Sequence, residues 1–121
     1  MVYTENFYEL IINLSTNPEI RNIENNTDKN KVVIIKSVSN CTTQLSNGIF
    51  SLYPHYSEIL YIDNSDNIRD IIYLSNLSCY TLLNRRVTLK PGEKIRITFA
   101  GSGTNNRYGS FLIAYSIIED L

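Results

Sequence analysis

Residues 111–118 read Phe-Leu-Ile-Ala-Tyr-Ser-Ile-Ile, a strand-like run that is apolar on both of its alternating sets. Phe111, Ile113, Tyr115 and Ile117 share one face, and Leu112, Ala114 and Ile118 share the other. Such a strand has to be covered twice. In a sandwich the first cover is the facing sheet. The second must be an arm, a loop or another subunit, because monomeric proteins seldom leave a large apolar patch bare. Lys31 to Ser39, with Val32, Val33, Ile34, Ile35 and Val38, makes the same demand.

Elsewhere the chain alternates with period two. Ile95, Ile97 and Phe99 interleave with Lys94, Arg96 and Thr98, as a half-buried strand requires, and Val87 and Leu89 alternate just before them. Between the two lies Lys90-Pro91-Gly92-Glu93, with Pro and Gly where a type II turn needs them, so a sharp reversal or corner is expected. Gly48 to Tyr53, Glu58 to Ile62, Asp70 to Leu74 and Tyr80 to Leu83 are short apolar runs separated by Asn, Ser, Asp and Pro. Near the N-terminus Phe7, Leu10, Ile11 and Leu14 would share a helical face after Thr4, whereas Tyr8, Leu10, Ile12 and Leu14 would share a strand face; the strand is adopted. Ile68, Ile71 and Ile72 would likewise fit one helical turn after Asp66. Asn17 to Asn30 is polar and reads as a linker. The expected fold is all-β, an antiparallel β-sandwich of jelly-roll-like type over residues 31–121, preceded by an N-terminal strand or arm and linker over residues 1–30.

Composition narrows the function classes. A chain of 121 residues supports one core, and 43% hydrophobic with 19% charged residues is a globular balance. Eleven basic against twelve acidic side chains give a net charge of −1, so no nucleic-acid partner is expected. The densest basic group, Arg85, Arg86, Lys90, Lys94 and Arg96, is interrupted by Glu93 and reads as a solvated strand face. No apolar run is long enough to span a bilayer as a helix, and a polar stretch follows Met1, so neither a membrane partner nor a secretory signal is expected. Cys41 and Cys79 follow no metal-ligand spacing and are expected as buried free thiols. The glycosylation-type triplets at Asn13, Asn25, Asn40 and Asn76 are what chance supplies in so Asn-rich a chain.

The residue types that carry chemistry are sparse. His55 is the one histidine, flanked by Pro54 and Tyr56, and nothing places it beside a nucleophile; a surface turn is expected. Asp63, Asp66 and Asp70, with Asn64 and Asn67, lack the Gly and the distal Glu of a calcium loop and read as a polar hairpin. Gly101-Ser102-Gly103 is not followed by Lys-Ser/Thr or by a helix, so it reads as a hairpin loop and not a phosphate cradle. Nine tyrosines are spread along the chain, which favours protein interfaces over a sugar-binding face. No catalytic residue, metal ligand or cofactor is expected.

Four stretches carry a family resemblance: Lys31-Val-Val-Ile-Ile-Lys-Ser-Val-Ser-Asn40, Gly48-Ile-Phe-Ser-Leu-Tyr53, Arg86-Val-Thr-Leu-Lys-Pro-Gly-Glu-Lys-Ile-Arg-Ile97 and Phe111-Leu-Ile-Ala-Tyr-Ser-Ile-Ile-Glu119. In this order they resemble a recurring class of small tailed-bacteriophage virion proteins, over about residues 31 to 119. The resemblance implies a non-enzymatic structural part of a neck, tail, fibre attachment or head decoration, made in the host cytoplasm and repeated as a homo-oligomer about a symmetry axis, with other virion proteins as partners. The candidate interface residues are Phe111, Ile113, Tyr115 and Ile117, with Tyr8, Leu10 and Ile12 of the arm. The alternative from another class is a carbohydrate-binding sandwich that recognises a host surface glycan through Tyr-bearing loops.

Overall fold

A computed structural model of the chain describes residues 3–40, 42–53, 55–75, 79–101 and 106–120. The period-two segments become strands, and the described residues contain no helix. In chain order the strands are β1 (Tyr3–Asn13), β2 (Glu19–Glu24), β3 (Lys31–Asn40), β4 (Thr43–Ser46), β5 (Ile49–Leu52), β6 (Ser57–Ile62), β7 (Ile68–Leu74), β8 (Tyr80–Leu89), β9 (Lys94–Phe99), β10 (Arg107–Tyr108) and β11 (Ser110–Asp120).

Two four-stranded antiparallel sheets, ordered β1-β11-β3-β8 and β2-β9-β6-β7, face one another, and β4 and β5, inserted between β3 and β6, form a three-stranded sheet, β10-β4-β5, with β10 from the β9–β11 connection. Successive strands β1, β2 and β3 alternate between the large sheets, as do β8, β9 and β11. That order is a jelly roll, which makes the chain an all-β antiparallel sandwich. The core lies between the sheets. Val33, Ile35, Val38, Phe111 and Ile113 enter from one side, and Ile59, Ile95, Ile97 and Phe99 from the other. The Phe111 ring lies 5.7 Å from both Tyr73 and Phe99, joining the two sheets. Each such side chain contributes about 1.5–3 kcal/mol of burial, largely offset by the entropy of ordering the chain.

The corner between β8 and β9 follows from its residues. Gly92 has φ +85°, and the Glu93 N–H donates to the Lys90 carbonyl at 3.0 Å, closing a type II turn. The turn does not form a hairpin, because β8 and β9 lie in different sheets. Glu93 is buried; its Oε1 accepts from the Lys90 N–H at 2.8 Å and from the Tyr61 hydroxyl at 2.5 Å. Burial, and then the bond to Glu93, push the Tyr61 phenol up to about 12.

Three expectations are corrected. Asn17 to Asn30 is more than a linker: it contains β2, an edge strand of the second sheet, while β1 is an edge strand of the first, so the N-terminal segment is built into the sandwich and does not lie over it as an arm. Buried Asn25 orders the rest of this stretch, its Nδ2 donating to the carbonyls of Lys29 (2.7 Å) and Leu89 (2.8 Å) and its Oδ1 accepting from the N–H and hydroxyl of Thr27. Gly101 does not open a simple hairpin, since β9 and β11 belong to different sheets; Ser102 and Gly103 lie outside the described residues. Cys79 is not a free thiol but disulfide-bonded, and the chain's other cysteine, Cys41, lies outside the described residues. The cause is register: Ser39 pairs with Tyr80, and the Asn40 N–H donates to the Cys79 carbonyl at 3.0 Å, so the end of β3 runs beside the start of β8. Sequence spacing carries no trace of that pairing.

Candidate interaction surfaces

The face of the β1-β11-β3-β8 sheet turned away from the core is laid out by strand register. Its rows run Glu5–Ile118–Val32–Thr88, Phe7–Ser116–Ile34–Arg86, Glu9–Ala114–Ser37–Leu82 and Ile11–Leu112–Ser39–Tyr80. At about 4.8 Å between strands and 6.8 Å between same-face residues, this area is on the order of 500 Å². Phe7 is 72% exposed, Leu82 64% and Ile11 57%. Val32, Ile34, Leu112, Ala114 and Ile118 are half-buried. Near the β1 edge Ser116 donates to Glu5 at 2.8 Å, Lys36 lies 3.5 Å from the same carboxylate, and its ammonium stands 5.9 Å from the Phe7 ring centre. Over small Ala114 the surface dips into a shallow open depression bordered by Phe7, Glu9 and Lys36.

The structure corrects the sequence-derived interface. Phe111, Ile113, Ile117 and Ile12 are buried in the core, and Leu10 and half-buried Tyr115 pack against it. Tyr8, which stacks on Tyr115 at 5.3 Å, is partly exposed at the sheet edge. The uncovered set is the opposite one, Leu112, Ala114 and Ile118, extended by Phe7 and Ile11 on β1 and by Tyr80 and Leu82 on β8. Phe7 and Ile11 were legible as the second apolar set of β1. The contribution of β8 was not, since it depends on which strand lies beside β3.

A second surface is the β10-β4-β5 sheet. The turn at Asn47 (φ 53°) and Gly48 (φ 76°) has the backbone of a tight hairpin. Every residue of β5 is exposed, including Ile49, Phe50 and Leu52. Phe50 meets Tyr108 edge-on at 5.9 Å, and Arg107 lies 3.8 Å from the centre of the Tyr53 ring.

The residues weighed for chemistry take structural places. His55 is buried, not at the surface: its Nε2 donates to the Ala100 carbonyl and its ring meets Phe99 edge-on at 4.8 Å. Asp63 caps the β6–β7 turn, its Oδ1 accepting from the N–H groups of Ser65 and Asn67 at 2.9 Å each. The bond from Asn67 is the main cause that holds its carboxyl below the usual range. Among the described residues no group of three or more His, Cys, Asp and Glu could hold a metal. The exposed tyrosines Tyr8, Tyr56, Tyr80 and Tyr108 stand on separate segments.

No protein-family model matches the sequence, and no curated protein does. Solved structures do match. The Drosophila NLP core, described for pentamer formation and histone binding, superposes with a TM-score of 0.56 at 12% identity, covering 98% of this chain and all (100%) of its own. A Bacillus endospore appendage, described as one of a novel family of disulfide-linked pili, superposes with a TM-score of 0.53 at 7% identity, covering 98% of this chain and 88% of its own. At these identities the likeness shows the fold alone.

Proposed function

We propose that the chain is a non-enzymatic structural subunit of a larger protein assembly, joined to its neighbours through the outer face and free edges of the β1-β11-β3-β8 sheet. The observation that carries this is the uncovered apolar area around Phe7, Leu82 and Leu112, which no part of the described chain overlies. Support of a weaker kind comes from the structural neighbours, whose own descriptions are of a pentamer and of pili. The setting we propose for the assembly is a tailed-phage particle, with copies about a symmetry axis and other virion proteins as partners; its support is the sequence resemblance over about residues 31 to 119.

The test uses Phe7→Lys and Leu112→Asp, each examined for thermal melting and for assembly. The expected result is melting close to the parent with assembly lost. Variants that melt normally and still assemble would overturn the reading. Copy number of the same variants in purified virions tests the phage setting separately.

A further inference from the structure

The two edges of the first sheet carry opposite, unmatched charge. Strand β1 contains Glu5 and Glu9 and no Lys or Arg, whereas β8 contains Arg85 and Arg86 and no Asp or Glu. Some of these charges are already used inside the molecule: Glu5 by Lys36 and Ser116, and Arg85 by Asp70 of β7. Glu9 and Arg86 remain, both exposed, both on the outer face, and neither in an ion pair among the described residues. The edges of the second sheet differ, since Arg21 meets Glu19 on β2 and Asp70 of β7 meets Arg85.

From this we infer that the partner of each edge is a second copy of the chain, with β8 of one copy adding to β1 of the next, head to tail. This rests on the assembly reading above and names its lateral contact. Strand sense agrees: each neighbouring pair in β1-β11-β3-β8 is antiparallel, so a copy placed side by side in the same orientation sets β8 antiparallel to the next β1. Side chains agree as well. With a stagger of one row, Arg86 stands opposite Glu9 and Thr88 opposite Phe7, and beyond the β8 bulge at Asn84, which sets four residues of β8 against two of β1, Leu82 comes opposite Ile11. Twofold pairing of β1 with β1 provides no cation for its carboxylates, and β8 with β8 no anion for its guanidinium groups. Edge pairing also satisfies the free backbone groups of β1, an edge of 11 residues whose pairing with β11 has no bulge to blunt it. A head-to-tail contact closes into a ring or continues as a filament.

The test is charge reversal on the full chain, read by sedimentation. Glu9→Arg and Arg86→Glu should each weaken self-association by about tenfold. An equimolar mixture of the two should restore association between unlike variants, because each contact between an E9R and an R86E copy pairs opposite charges, and the double variant should restore it alone. If the parent assembles but the single variants match it, or if mixing restores nothing, head-to-tail pairing is overturned. Loss of assembly in Leu112→Asp alongside that result would leave the outer-face reading standing. If the parent never self-associates, both readings fail together.

Discussion

Replacing Asn25 with Ala removes the side chain that holds the β2–β3 connection onto the end of β8. Its amide makes one bond to the buried strand carbonyl of Leu89 and three within the loop, to Lys29 and Thr27. Stranding the Leu89 carbonyl costs about 1–3 kcal/mol, and the loop bonds, which water partly replaces, about 0.5 kcal/mol each. The loss is then about 3 kcal/mol. The unfolding entropy of a 121-residue chain is about 0.25 kcal/mol per K, so the melting temperature should fall by about 12 °C. Thr27→Val, which gives up the hydroxyl bonds to Asn25 and Lys29 but leaves the Leu89 carbonyl paired, serves as the control and should lose about 1.5 kcal/mol. Calorimetry of the two variants beside the parent gives the comparison. An Asn25→Ala protein that melts within about 4 °C of the parent would refute the claim that this residue orders the polar stretch.

Under denaturing, non-reducing conditions Cys79 should resist alkylation, and Cys79→Ser should cost roughly 2–5 kcal/mol; two alkylatable thiols in the native protein would contradict the bond. Because the folded pKa of Tyr61 lies above its ordinary value, its contribution is fully present below about pH 10 and is lost as pH rises towards about 12. Denaturant melts across that window should show Tyr61→Phe losing less stability than the parent. At Gly101 an added Cβ would come within 2.5 Å of the Thr16 carbonyl oxygen, so Gly101→Ala should destabilise by about 1–3 kcal/mol, visible as a lower denaturation midpoint.

Much of the sandwich could be read from residues because period two is a local signal. Ile95, Ile97 and Phe99 were legible as an inward face, and Pro91-Gly92 as the corner, since each depends on neighbours in sequence. Which face of residues 111–118 meets the core was not legible, for a related reason. Both sets of residues 111–118 are apolar, and local pattern does not tell the core set from the outer one; register with β1 and β3 decides it. Cys79 and His55 were misread in the same way. The disulfide depends on β3 meeting β8, and the burial of His55 on the Ala100 carbonyl 45 residues away. Asn25 hid in a polar stretch because its partner, Leu89, is remote in sequence. The charge match between Glu9 and Arg86 is likewise invisible until the sheet order places them on opposite edges.

The claim that this sheet is an assembly surface is tested most directly by sedimentation equilibrium of the full chain between about 1 and 100 μM, with Leu112→Asp run beside it. The account predicts a weight-average mass that climbs above the 13.9 kDa of one chain for the parent and stays there for the variant, with both melting alike. A parent that remains at 13.9 kDa throughout, or a Leu112→Asp protein that climbs as the parent does, would contradict it.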